Sequence, residues 1–87
     1  MKKIETKILN GITVIIEKEL LEDMRTSFNK LAIESYNKIL SDDKEIIDEN
    51  TIRFLHYNPV LGYTFYIEVE YELTGFNNNY LYITNAE

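Results

Sequence analysis

The sequence of 87 residues contains no cysteine, no tryptophan, one proline and three glycines. Without cysteine the chain has no disulfide bond, no thiolate nucleophile and no cysteine-based zinc site. Gly11, Gly62 and Gly75 stand apart from one another, which excludes the glycine-rich loops that hold nucleotide phosphates. The chain also lacks an apolar run near the roughly 18 residues of a membrane-spanning helix, and residues 1–5 lack an apolar signal core. We therefore expect a cytoplasmic protein that binds no nucleotide or other cofactor.

Negative charge is in excess and is unevenly distributed along the chain. The net charge is −6. Residues 1–41 carry seven basic and six acidic groups, whereas residues 42–87 carry two basic and nine acidic groups. The excess of acidic groups in residues 42–87 repels phosphate backbones, so direct binding of nucleic acid is disfavoured. A protein partner with a basic surface is the expected complement.

The length fits one domain. We treat residues 1–87 as a single unit because no repeat, proline-rich linker or low-complexity segment divides them. A domain of this size buries only about 60–65% of the surface of its unfolded chain. A deep, water-excluding cleft would take up much of so small a core. Because no catalytic motif is present either, we expect no enzymatic activity.

The first part of the chain has the pattern of a β-hairpin. The pair Asn10-Gly11 suits the positive φ angles of a type I′ turn, and it lies between residues 3–9 and the β-branched residues 12–16. The alternative is a helix that begins near Ile12, because residues from Glu17 onward favour helix and no clear N-cap separates the two segments. The sequence leaves residues 12–17 open between strand and helix.

Residues 18–40 carry apolar side chains at steps of three and four without glycine or proline, which predicts one long amphipathic helix. Ile33 falls outside its apolar stripe, whereas Tyr36 and Leu40 fall on it. After Ser41, the spacing of Asp42 and Glu45 resembles a capping box and predicts a short second helix that ends near Asn50.

Strands are predicted for the last part of the chain. Residues 51–57 are strand-like, a turn follows around Pro59, and residues 63–74 alternate strictly between apolar and polar side chains. Tyr80 to Thr84 is predicted to return as the second strand of a hairpin. The expected fold is therefore an α+β domain of order ββα(α)βββ, with an antiparallel sheet of about five strands and the long helix on one face.

The long strand offers the strongest candidate for a binding surface. Its outward side chains include three carboxylates about 7 Å apart along the strand, which we call the acidic ridge: Glu68, Glu70 and Glu72. Tyrosines are expected to flank the ridge at Tyr66, Tyr80 and Tyr82. This combination suits lysine and arginine side chains of a partner, and it also imitates a row of phosphates along a nucleic-acid strand. An ordinary solvated sheet face is the competing interpretation.

The remaining polar features favour structural roles. The acidic residues between Asp42 and Glu49 lack the glycine and the ligand spacing of a calcium loop, so we expect no metal site. His56 is the one histidine, and the sequence near it supplies no serine or cysteine nucleophile in a recognisable setting. A packed or turn-capping histidine is favoured over a general base.

In size, acidity and tyrosine content, the chain is similar to the inhibitors that phages and mobile elements make against host nucleases, anti-CRISPR proteins among them. The resemblance implies a stoichiometric, non-enzymatic inhibitor in the host cytoplasm whose acidic tyrosine–glutamate face docks on a basic, nucleic-acid-binding surface. Two alternatives stay open. One is a homo-oligomer that binds or degrades a signalling small molecule, with Tyr80 to Thr84 as an edge strand that pairs two copies. The other is a regulatory subunit of a cellular complex.

Overall fold

Six strands form one mixed sheet, and two helices lie on one of its faces, in the computed structural model, which describes residues 3–86. Along the chain the elements are β1 (Ile4–Leu9), β2 (Ile12–Glu17), α1 (Lys18–Met24), α2 (Phe28–Leu40), β3 (Glu45–Asp48), β4 (Thr51–Asn58), β5 (Tyr63–Glu72) and β6 (Tyr80–Asn85). Across the sheet the strand order is β1-β2-β6-β5-β4-β3. The α+β class is confirmed. The expectation of five antiparallel strands was wrong, because β2 and β6 pair in parallel and β3 adds a sixth strand.

The first hairpin forms as its turn residues predict. Asn10 and Gly11 have φ angles of 51° and 78°, which a type I′ turn requires. β1 and β2 pair antiparallel from Ile4 opposite Glu17 to Leu9 opposite Ile12. The open question over residues 12–17 is thereby resolved as strand, and the helix begins at Lys18.

The predicted single helix over residues 18–40 is two helices. Arg25 adopts a left-handed conformation with φ 53°, and Thr26 N–H donates back to the Leu21 carbonyl, which ends α1. Ser27 then caps α2, because its hydroxyl accepts from Lys30 N–H at 3.2 Å. The apolar spacing did not reveal the break because Met24 and Phe28 are both buried on either side of it.

The second predicted helix is a strand. Residues 45–48 form β3, which pairs antiparallel with the start of β4 and contains a register shift between Ile46 and Asp48. Asp42 and Glu45 therefore do not form a capping box. All four residues of β3 are exposed, so the element is held by its backbone ladder and not by burial of an apolar helix face.

β5 and β6 form the expected hairpin, but β6 has a different position in the sheet from the one expected. β5 pairs with β6 from Ile67 opposite Asn85 to Glu72 opposite Tyr80. β6 also pairs with β2, through Thr13 opposite Tyr80 and its neighbours. The proposed edge strand Tyr80 to Thr84 is therefore an interior strand, and it offers no free edge for a second copy.

One apolar core joins both helices to one face of the sheet. The strands contribute alternate residues, and the core consists of Val14, Ile16, Leu20, Leu21, Met24, Phe28, Leu31, Ala32, Ile52, Phe54, Phe65, Ile67, Val69, Leu81 and Ile83. Tyr36 and Leu40, expected in this core, are exposed, and so is Ile33, which falls outside the apolar stripe. We call the opposite side of the sheet the open face, because none of the described helices covers it. Within residues 3–86, no helix is both long and apolar enough to cross a membrane.

Candidate functional site

The open face brings all six predicted binding residues together. On β5 the strict alternation that buries Phe65, Ile67 and Val69 turns the intervening residues to the open face. On β6 the burial of Leu81 and Ile83 does the same. The residues that share this surface are Tyr66, Glu68, Glu70, Glu72, Tyr80 and Tyr82.

Strand register arranges these side chains in rows that run across the sheet. Glu72 lies opposite Tyr80, and Glu70 lies opposite Tyr82. The row through Tyr82 continues to Ile15 on β2. Because directly opposite side chains on one face are about 5 Å apart, each of these carboxylates borders a tyrosine ring. The surface alternates acidic and aromatic groups across strands as well as along them.

Each ridge carboxylate has a partner of its own. Glu68 accepts from Arg53 on β4, with Nη2 to Oε1 at 3.3 Å. Glu70 accepts from the Tyr80 hydroxyl at 2.7 Å. Glu72 accepts from the Thr74 hydroxyl at 2.6 Å and from Thr74 N–H at 3.2 Å. A cation therefore compensates Glu68, whereas neutral donors orient Glu70 and Glu72 and leave their charge in place.

The hydrogen bonds shift two pKa values on this face. The two donors of Thr74 stabilise the ionised carboxylate of Glu72 and lower its pKa. The hydrogen bond to Glu70 raises the pKa of Tyr80, because loss of the phenolic proton would place an anion against a carboxylate. Near neutral pH the surface thus holds an ionised Glu72 and a protonated Tyr80.

Sequence reasoning missed the contribution of β4 to the open face. Arg53, Leu55 and Tyr57 lie opposite Glu68, Tyr66 and Thr64 on β5. Leu55 and Tyr57 are 57% and 62% exposed, so an apolar area adjoins the acidic one. The predicted strand over residues 51–57 already implied which of its side chains point outward. That they join the open face follows only when the register between this strand and β5 is known.

His56 lies on the helix side of the sheet, away from the open face. Its Nδ1 is 2.8 Å from both carboxylate oxygens of Glu34 on α2. A carboxylate that orients a histidine is half of the arrangement that acid–base catalysis uses. No local pattern indicated this pair, because 22 residues separate Glu34 from His56. Geometrically the pair links α2 to β4. No nucleophile is among the hydrogen-bond partners that the structure gives for His56.

The rest of the described surface offers acidic side chains and an apolar cavity. The described part of the chain contains no group of three or more histidine, aspartate and glutamate side chains placed to hold a metal ion. Asp43 pairs with Lys38 at 2.6 Å, and this hydrogen bond lowers the pKa of Asp43. A cavity of about 260 Å³ lies between the first hairpin and α2, and its lining is apolar apart from Asn10 and Tyr36.

Comparison of the chain with protein-family models, with curated proteins and with solved structures finds no match in any of the three.

Proposed function

We propose that this protein is a non-enzymatic binding module whose open face docks on a basic surface of a protein partner. The observation that carries the proposal is the convergence of the acidic ridge and three tyrosines on the one sheet face that the helices leave uncovered. A surface of this kind has a defined charge and a large, rigid contact area.

Because, among the described residues, a cation lies beside only one of the ridge carboxylates, the negative charge of the open face is concentrated at one end. Arg53 lies close to Glu68 and, at 3.9 Å, to Glu45, so one cation offsets part of the negative charge on the β4 side of the ridge. The end formed by Glu70 and Glu72 retains its negative charge. Lysine or arginine side chains of a partner would be drawn to that end, and the exposed Tyr82 beside it would cover their aliphatic stems.

The apolar neighbours of the ridge extend the same surface. Leu55 and Tyr57 adjoin Tyr66, which is 43% exposed. Protein interfaces combine a desolvated apolar and aromatic centre with a polar rim, and the open face contains both elements. We therefore place the centre of the interface on the tyrosines and assign the ridge to recognition and orientation.

A partner that normally binds nucleic acid fits this surface best. Such partners carry basic grooves, and a row of carboxylates on a strand would occupy one in place of phosphates. The small size and net charge of −6 suit a stoichiometric inhibitor of the anti-CRISPR kind encoded by a phage or mobile element. Inhibition would then result from occupation of the groove, without chemistry on the partner.

The proposal is tested by titrating the labelled protein with an arginine-rich peptide and following amide chemical shifts. We expect the shifts to concentrate on β5, β6 and the adjoining part of β4. The double variant Glu70→Lys/Glu72→Lys should bind the peptide at least tenfold more weakly, because like charges oppose each other across the interface. Glu68 is left intact, since a lysine there would face Arg53.

The matched control is Glu22→Lys/Asp23→Lys, which changes net charge equally but lies on exposed positions of α1. Lysines near the end of a helix also favour its dipole, so this variant should fold well. If both double variants lose affinity equally, general charge and not the open face explains binding, and the proposal fails. Affinity that is unchanged between low and moderate salt would also contradict it, because exposed charges are screened within about 8 Å at physiological ionic strength.

A further inference from the structure

The outer edge of β1 carries a row of backbone groups that no described residue pairs with. Lys18 N–H donates to the Lys3 carbonyl at 2.9 Å. This bond shows which residues of β1 direct their backbone groups toward β2 and which direct them toward the free edge. In an antiparallel pair, residues bond to the partner strand at every second position, here at Glu5 and Lys7. The N–H and C=O groups of Ile4, Thr6 and Ile8 consequently point outward.

The side chains at this edge are apolar on one face and charged on the other. Ile4 and Ile8 are 53% and 73% exposed and lie on the open face with Thr6. Glu5 and Lys7 project to the helix side, where Lys7 Nζ is 3.8 Å from Glu5 Oε2 and 5.0 Å from the centre of the Phe28 ring. A regular edge strand with two exposed isoleucines is a template for pairing with another strand.

The opposite edge of the sheet, formed by β3, is protected against pairing with another strand. β3 has a register shift between Ile46 and Asp48, and acidic residues stand at both of its ends. A bulge, together with charges of one sign at both ends, opposes edge-to-edge pairing of two copies. β1 contains neither a bulge nor a proline.

We propose that two copies of this chain associate through antiparallel pairing of their β1 strands about a two-fold axis at Thr6. In this register Ile4 lies opposite the second copy's Ile8, and Thr6 lies opposite its counterpart with two backbone hydrogen bonds exchanged between them. Glu5 lies opposite the second copy's Lys7, and the same contact repeats on the other side of the axis. The strand is therefore complementary to itself in charge and in apolar contacts.

The neighbouring registers lack this complementarity. A shift that places the axis at Glu5 sets Glu5 against its counterpart and Lys3 against Lys7. A shift that places the axis at Lys7 sets two lysines against each other. Like charges directly opposite in a sheet are destabilising, so charge selects the register centred on Thr6.

The resulting assembly is a continuous sheet that keeps both pairs of helices on one side. Seven strand spacings separate the two β5 strands, which places the two acidic ridges about 34 Å apart on one shared face. One strand pair buries less than the roughly 1,600 Å² of a standard interface. We therefore expect a monomer–dimer equilibrium that depends on concentration, not a permanent dimer.

A charge exchange tests the register. In sedimentation experiments the wild-type chain should dimerise as its concentration rises, whereas Glu5→Lys alone and Lys7→Glu alone should remain monomeric, because each places like charges opposite. An equimolar mixture of the two variants should recover the dimer, since the lysines of one then face the glutamates of the other. A wild-type chain that stays monomeric throughout, or single variants that dimerise as well as the wild type, would overturn the proposal.

Crosslinking supplies a second measurement that leaves these charges unchanged. The chain has no cysteine, so Thr6→Cys introduces one thiol, and its counterpart would lie about 5.5 Å away between Cα atoms, within disulfide range. Ile8→Cys is the matched control, because its counterpart would lie about 14 Å away along the strands. With oxidised glutathione as oxidant, Thr6→Cys should crosslink at least tenfold faster than Ile8→Cys. Equal rates would show random collision and contradict the proposed register.

Discussion

Arg53 Nη2 lies 3.3 Å from Glu68 Oε1 across the β4–β5 ladder, and Arg53 Nη1 lies 3.9 Å from Glu45 on β3. One guanidinium thus ties three neighbouring strands together on the open face. The two side chains of the closer pair are each about one-third exposed, so solvent screens part of their attraction. The contact also divides the acidic ridge into a compensated residue, Glu68, and two residues that keep their charge.

The first prediction is that charge reversal along the ridge has unequal effects on stability. Glu68→Lys removes a partly exposed ion pair and places a lysine against Arg53. The lost attraction and the new repulsion together should lower the free energy of unfolding by about 1 kcal/mol. Glu72→Lys, which faces no cation in the described contacts, should leave it nearly unchanged. Urea unfolding of both variants measures the difference. Equal losses would mean that the Arg53 contact contributes nothing.

The break between the helices leads to a second prediction. Arg25 is a non-glycine residue in the left-handed region, a conformation that costs roughly 1–2 kcal/mol for an L-residue. Arg25→Gly should therefore raise the free energy of unfolding by about 1 kcal/mol. Ser27→Ala should lower it by about 1 kcal/mol, because Lys30 N–H loses its acceptor. Thermal melts of the two variants should shift in opposite directions; a continuous helix over residues 18–40 would instead be weakened by the glycine.

The features predicted from sequence were those with a local physical cause. The alternation of β5 and the Asn10-Gly11 turn are set by neighbouring residues, and the structure confirms both. The six residues of the candidate surface were placed on one face because the period of a strand is two. Their convergence needed no long-range information beyond the β5–β6 hairpin.

The features that were missed depend on contacts between distant segments. The parallel pairing of β2 with β6 joins residues nearly 70 positions apart, and no local pattern encodes it. β3 was predicted as a helix because its charges suit a helix start, but pairing with Arg53 and Ile52 overrides that preference. The Arg53–Glu68 and His56–Glu34 contacts could not be predicted either, because each joins residues on different elements of the chain.

A third prediction concerns the ionisation of Tyr80. Its pKa is raised by the hydrogen bond to Glu70, so the folded state favours the protonated phenol. The resulting stabilisation is fully present below the pKa of an unfolded tyrosine and is lost as pH rises through the folded value. In Glu70→Ala the pKa of Tyr80 should fall toward its ordinary value. NMR titration of the tyrosine ring carbons measures this, with Glu22→Ala as a remote control; an unchanged titration would exclude the Tyr80–Glu70 contact.

The fourth prediction assigns His56 a structural role. A double-mutant cycle with His56→Ala and Glu34→Ala should give a coupling energy of about 1 kcal/mol in urea unfolding, because both singles break the same contact between α2 and β4. Binding of the arginine-rich peptide should be unaffected, since His56 projects to the opposite side of the sheet. Loss of binding in a folded His56→Ala variant would show that the helix side takes part in recognition.

The last prediction separates the residues that hold the fold from those that bind. Ile67 and Tyr66 are neighbours on β5 but project to opposite faces, with Ile67 fully buried and Tyr66 43% exposed. Ile67→Ala removes core methyl groups and should cost about 2–5 kcal/mol of stability, a large share of the roughly 4–13 kcal/mol expected for a chain of this length. Ile67→Val should cost only about 0.5–1.5 kcal/mol and provides a variant that stays folded.

Truncation of the tyrosines should have the reverse effect. Tyr66→Ala and Tyr82→Ala should change stability by less than about 1 kcal/mol, because their rings are already in contact with water. Each should weaken peptide binding by more than about 1 kcal/mol, since aromatic residues near the centre of an interface carry much of its energy. Calorimetric titration beside a thermal melt measures both quantities for each variant. If Ile67→Val and the tyrosine variants bind equally well, the tyrosines are ordinary solvated side chains and the centre of the interface lies elsewhere.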